Sequence, residues 1–226
     1  MRSLLVFFAI GLLSNLATAQ KTVSFTTEDG GVIFADLYGT GDRAVVLAHG
    51  AQFDKESWAA QAKELQAAGF EVLAIDFRGY GKSHGPGDKD PMGAPLRLDV
   101  LAAVDYLHKT GSKDVSVVGA SMGAMATGDA SIASRPGEID RIVLLSLHPS
   151  GPASRLKSPV LFIVSRDDRG ANGPRLPGVQ KAYDEAPQPK KLVILDGSAH
   201  AQFLFKTDKG PQVMREIIAW LKGGKN

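Results

Sequence analysis

Apolar and polar residues follow three different rules along this chain. Residues 4–13 are uniformly apolar. Residues 22–27 and 32–38 alternate apolar with polar around Glu28-Asp29-Gly30-Gly31, which predicts an antiparallel hairpin at a sheet edge with one face covered and one solvated. The alternation then stops. Residues 43–48, 71–77, 115–118, 141–147, 159–164 and 192–195 are near-continuous apolar runs, the pattern of strands covered on both faces.

Segments of helical character separate these runs. Asp54 is placed to cap a helix over 55–68 that Gly69 ends, and Pro95 precedes a helix over 96–109 that Gly111 ends. Further helices are expected over 122–134, around 179–184, and over 212–222, where Val213, Ile217, Ile218 and Leu221 share one face. Strands alternating with helices imply an α/β fold: a mostly parallel central sheet of about eight strands with helices on both faces. In such sheets the functional groups collect at the carboxyl ends of the strands.

Composition adjusts this picture in three places. Arg2, the apolar stretch at 4–13 and the small residues Ala17-Thr18-Ala19 read as a secretory signal peptide over residues 1–19, cleaved before Gln20. The expectation is therefore an exported protein, periplasmic or secreted, without stable membrane insertion, because Ser14 and Asn15 interrupt the apolar run well short of the ~20 residues a span needs. Residues 20–226 contain no repeat and no linker long enough to divide them, so one domain is expected. A net charge of +2 from 26 basic and 24 acidic residues gives no reason to expect a nucleic-acid partner. The absence of cysteine removes disulfides, thiol nucleophiles and thiolate metal sites. No metal cluster or nucleotide motif is apparent, and no cofactor is inferred.

The candidate chemistry begins at GASMG, residues 119–123. A serine hydroxyl is a weak nucleophile unless held exposed beside a base, and a sharp strand-to-helix turn, with glycine on either flank to avoid crowding, holds it so. The pattern occurs twice, because GKSHG at 81–85 also matches. Ser83, however, runs into Gly85-Pro86-Gly87 and then Asp88, which cannot start a helix, whereas Ser121 runs into Met122, Ala124 and Met125, which can. A phosphate-loop reading of GKS fails as well, since Asp76 stands where that motif needs glycine. Ser121 is the candidate nucleophile.

A serine of this kind needs a base, and the base needs a carboxylate to orient it. Of five histidines, His200 lies in DGSAH, the turn after the last apolar run, and is the candidate. His49, beside Gly50, is better placed to shape a loop facing the serine. His108 suggests a helix-end role, His84 a loop, and His148 a strand end that can reach the pocket. Two acids, Asp167 and Asp168, follow the run at 159–164; Asp76 and Arg78 read as structural partners in a turn.

The order Ser121, Asp168, His200, together with HGA at 49–51, DFRGYGKS at 76–83 and GSAH at 197–200, resembles the α/β-hydrolase superfamily over residues 22–222. Within it the chain is similar to small capless bacterial esterases and dienelactone-hydrolase-like members, departing from true dienelactone hydrolases in having Ser121 where they have cysteine. The resemblance implies a triad of Ser121, His200 and Asp168, with Asp167 as the alternative acid. It also implies an oxyanion hole from the backbone N–H groups of Met122 and Ala51, with Gln52 or Phe53 able to shift the second donor. The implied activity is carboxylic ester hydrolysis on small-molecule substrates through an acyl-enzyme. A serine peptidase or amidase would use the same groups, and a catalytically silent binding module is the remaining alternative. Only eleven residues, 148–158, lie where many members insert a cap, so the site should be open, bordered by loops around Phe53, 84–95 and Phe203. Phe203 and Phe205 read equally well as core residues.

Overall fold

A computed structural model describes residues 20–90 and 92–223; the expected signal peptide over 1–19 lies outside them. The chain opens with an antiparallel hairpin, β1 (Lys21–Thr26) and β2 (Val32–Tyr38), in which Lys21 faces Leu37 and Thr26 faces Val32. There follow β3 (Arg43–Ala48), a 3-10 turn at Lys55–Trp58 leading into α1 (Ala59–Ala67), β4 (Glu71–Ile75), α2 (Arg97–Thr110), β5 (Asp114–Ala120) and α3 (Met122–Ala133). The second half contains β6 (Ile142–Leu145), β7 (Val160–Ser165), a two-strand ribbon of β8 (Arg169–Gly170) and β9 (Gly173–Pro174), α4 (Leu176–Glu185), β10 (Lys190–Leu195) and α5 (Gly210–Leu221).

Eight strands form one sheet in the order β1-β2-β4-β3-β5-β6-β7-β10. β2 meets β4 antiparallel, and every pairing from β4 to β10 is parallel. The period-2 geometry of a strand divides the buried residues between two layers. Val46, Val115 and Val117 face a core completed by Val100, Val104 and Leu107 of α2, by α3 and by Val179 of α4. Val45, Leu47 and Val118 face the other, completed by Trp58, Ala62 and Leu65 and by Val213, Ile217 and Leu221 of α5. Each buried Val, Leu or Ile among them contributes about 1.5–3 kcal/mol before entropy is counted.

Residue-level differences from the sequence reading lie at the element ends. The strand expected over 71–77 stops at Ile75, because Asp76 and Arg78 turn their side chains to buried partners: Asp76 accepts from the Lys55 backbone N–H at 2.8 Å. α4 is longer than expected, beginning at Leu176 with Pro177 in its first turn. The ribbon β8–β9 carried no recognisable strand pattern, being two residues a side. Asp54 accepts from the Ser57 N–H at 3.0 Å, and Gly111 closes α2 at φ +119°. No helix among the described residues is long and apolar enough to cross a membrane. Between β6 and β7 there is a single 3-10 turn, Ala153–Arg155, and no cap.

Candidate active site

β5 lies near the centre of the sheet, and the chain leaves it through Ser121 at φ +53°, ψ −118° before entering α3. This backbone is sparsely populated for a residue with a Cβ, and it persists because its surroundings admit nothing else. A Cβ at Gly119 would strike Gly123 O and Thr127 Oγ1, and one at Gly123 would strike the carbonyls of Ala48 and His49. The sharp turn therefore lifts the Ser121 side chain above the carboxyl edge of the sheet. At the second GxSxG, by contrast, the Ser83 hydroxyl is buried and accepts from the Phe34 N–H at 2.8 Å, which fixes the loop against β2.

Three loops bring partners to Ser121. His200, after β10, places Nε2 2.8 Å from Ser121 Oγ, and its Nδ1 lies 2.8 Å and 3.1 Å from the two carboxylate oxygens of Asp168, after β7. Asp168 is fully buried; Asp167 is exposed and turned away, its N–H bonded to Gly197 O. With Nδ1–H donating to the carboxylate, Nε2 is left as the acceptor for the serine proton.

Residues that the sequence reading did not single out hold this arrangement. Ser146, at φ +67° just beyond β6, accepts from the Ala201 N–H at 2.8 Å, and Ser165 at the end of β7 donates to Ala199 O at 2.7 Å. The two hydroxyls thus grip the backbone on either side of His200. Their only sequence signal is a serine ending an apolar run, a pattern too common to stand out.

The loop after β3 is pinned equally closely. Gln202 Oε1 accepts from Gly50 N–H at 2.8 Å, Tyr80 Oη donates to Ala51 O at 3.0 Å, and the His49 ring joins Gly50 O through Nδ1 at 2.9 Å. Phe77 N–H donates to His49 Nε2 at 3.2 Å, so Nδ1 must be the protonated nitrogen and the ring is neutral. Phe53 N–H is committed to Gly50 O at 2.9 Å, which removes it as an oxyanion donor, whereas the N–H groups of Ala51 and Met122 carry no hydrogen bond among the described residues.

Burial lowers the His49 pKa from 6.5 to about 4. In the unfolded chain this imidazole takes up a proton below about pH 6.5, and the folded state resists doing so until about pH 4. Stability is therefore full above pH 6.5 and declines as the pH falls through that window. Between pH 7 and pH 5 the decline amounts to about 2 kcal/mol. Urea unfolding at the two pH values measures it, and His49→Gln should flatten the difference; parallel losses in both proteins would assign it elsewhere.

Ser121 and His200 open into a cleft of about 360 Å³, bordered by Ala51, Phe53, Phe203, Arg169 and Arg175. Phe53 and Phe203 pack with centroids 5.0 Å apart, and Phe205 instead packs on Trp58, so the two phenylalanines divide between cleft and core. The segment 84–95 does not line this cleft as expected; its end, from Met92, lines a recess of about 90 Å³ beside Met122 and Met125. His148 bonds its own neighbour, Pro149 O, and lines a separate hollow with Gly178. His108 ties the end of α2 to the loop that follows it through Ser112 O and to the loop after α3 through Glu138 O. Asp76 and Arg78 are structural, Arg78 being buried between Asp99 and Asp29.

An eight-stranded sheet of this order, with a serine at positive φ above its central strand and a histidine and carboxylate converging on it, defines the α/β-hydrolase class. The chain belongs to the alpha/beta hydrolase family, whose model matches residues 45–215. Among solved structures, an esterase of Pyrococcus furiosus superposes with TM-score 0.76 at 23% identity over 91% of this chain and 92% of that one. A dienelactone hydrolase of Anabaena variabilis superposes with TM-score 0.70 at 22% identity, covering 91% and 97%. Among curated proteins, a non-heme chloroperoxidase of Kitasatospora aureofaciens is 32% identical over 155 residues, which is 66% of this chain and 48% of that protein. A bifunctional esterase/perhydrolase of Acinetobacter calcoaceticus is 35% identical over 101 residues, 40% of this chain and 36% of that one. The chain spans 13% to 48% of the length of the curated relatives it matches.

Proposed function

We propose that the protein is an exported serine hydrolase that cleaves carboxylic esters of small molecules. The observation that carries this reading is the continuous chain Ser121 Oγ, His200 Nε2, His200 Nδ1, Asp168, each link within 2.8 Å, opening on a cleft. His200 removes the Ser121 proton as Oγ attacks the substrate carbonyl, and Asp168 stabilises the imidazolium that forms. The oxyanion is met by the free N–H groups of Ala51 and Met122. Met122 opens α3, so the helix dipole adds to its donor. The tetrahedral centre then expels the alcohol, which takes its proton from His200. Water, deprotonated by the same ring, releases the acid and restores Ser121. The pinning of the Gly50–Ala51 backbone by Gln202, Tyr80 and His49 supports the reading, because donors held in place before reaction cost no reorganisation during it. The leader-like residues 1–19 support export.

A fluorophosphonate probe should label the protein on Ser121, as peptide mass mapping would show, and labelling should abolish turnover of short-chain p-nitrophenyl esters. An unlabelled Ser121 together with no turnover across a graded ester panel would overturn the reading.

A further inference from the structure

The ribbon β8–β9 follows directly on Asp168, and the cleft that holds Ser121 and His200 receives an arginine from either end of it, Arg169 at its start and Arg175 just beyond it at the start of α4. No Asp or Glu lines that cleft. Arg169 is exposed and has no ion-pair partner among the described residues. Arg175 lies against the ribbon itself: a Cβ at Gly170 would sit 2.5 Å from its terminal nitrogen, so the guanidinium packs directly on the Gly170 backbone. Its Nε is buried without a hydrogen-bond partner, 3.4 Å from Asp168 Oδ1. A third cation, Lys206, does not line the cleft but lies over the rings of its Phe53 and Phe203, 5.7 Å and 5.5 Å from their centroids.

Cations gathered around a cleft with no lining carboxylate repel one another and are eased by a bound anion. Asp168 engages part of the Arg175 charge, which leaves Arg169 as the free one. We propose that the substrate is an ester carrying a free carboxylate, such as the hemiester of a short dicarboxylic acid. The carboxylate lies against Arg169 and Arg175, the hydrocarbon spacer against Phe53 and Phe203, and the ester carbonyl at Ser121. A guanidinium fork suits this ligand because it meets both carboxylate oxygens at once. The inference rests on the esterase reading and names the substrate class of that same site.

The test separates the two. Ser121→Ala protein, which cannot turn over, is titrated by calorimetry with monoethyl adipate and with diethyl adipate. The anion is expected to bind about tenfold more tightly or better, with a dissociation constant that rises between 0.05 and 0.5 M salt. Adding Arg169→Gln should remove most of that preference, and Arg169→Lys should restore part of it. In active enzyme the ratio of kcat/KM for the two esters should fall by a similar factor in Arg169→Gln. Equal binding of the two esters, or a preference that survives in both Arg169→Gln and Arg175→Gln, overturns the inference, while hydrolysis of the neutral ester in that event leaves the esterase reading standing. A carboxylate preference in Ser121→Ala alongside a wild type that is neither labelled nor active would support the anion site and overturn the catalytic reading.

Discussion

Replacing Ser121 with alanine should lower kcat/KM on a reactive ester by roughly 10⁴- to 10⁶-fold while the protein stays folded. The size of the effect follows from the geometry. Ser121 Oγ is the one group aligned with His200 Nε2, and the hydroxyl is the atom that would form the acyl bond. Alanine retains Cβ, so packing at the turn is kept. What survives is catalysis by the oxyanion donors and by binding, acting on water. His200→Gln should fall by a comparable factor, and the double variant no further, because the two groups work as one unit. Steady-state kinetics with circular dichroism as the folding control provide the measurement; a Ser121→Ala protein within tenfold of wild type would show that the chemistry does not pass through this hydroxyl.

The largest effect on stability should come from Arg78→Met, at about 3–5 kcal/mol. Arg78 is fully buried, and its guanidinium uses every N–H it has. Two go to Asp29 at 2.6 and 3.0 Å, two to Asp99 at 2.6 and 2.9 Å, and one to Pro86 O at 2.9 Å. Asp99 is itself fully buried on α2, and Asp29 lies in the turn between β1 and β2, so one side chain locks the hairpin, the 84–95 segment and a helix together. Removing the cation leaves a carboxylate stranded in the core, which costs more than the pair itself contributes. Arg78→Met/Asp99→Leu should therefore recover part of the loss. The hydrogen bonds from Arg78 lower the Asp29 pKa from 3.8 to about 2, so the stability they add is complete above pH 4 and is lost as the pH falls toward 2. Equilibrium urea unfolding of both variants is the check, and an unchanged midpoint for Arg78→Met would mean that the hairpin holds without it.

Much of this architecture is legible in one dimension. The strand runs at 43–48 and 159–164 are recognisable because burial on both faces leaves no room for polar residues, and β3 and β7 are found there to within a residue. The elbow at Ser121 is legible because glycines at 119 and 123 and a helix-tolerant continuation are local requirements. Ends such as β4 and α4 are less so, since a strand stops where its next side chains find partners elsewhere in the fold, as Asp76 does with Lys55.

What the order of residues determined by itself is the α/β layering, the candidate nucleophile and the set of strand ends from which its partners had to come. Hydrophobic periodicity and backbone sterics act between neighbours, and neighbours are what a sequence displays. Only the tertiary structure decided that Asp168 and not Asp167 faces His200, and that Ser146 and Ser165 grip the loop around that histidine. The same holds for Gln202 and Tyr80 converging on Gly50–Ala51, and for Arg169 and Arg175 lining the cleft. Each of these depends on hydrogen bonds and charges meeting across loops far apart in the chain. No local pattern records such meetings until the sheet has set the distances.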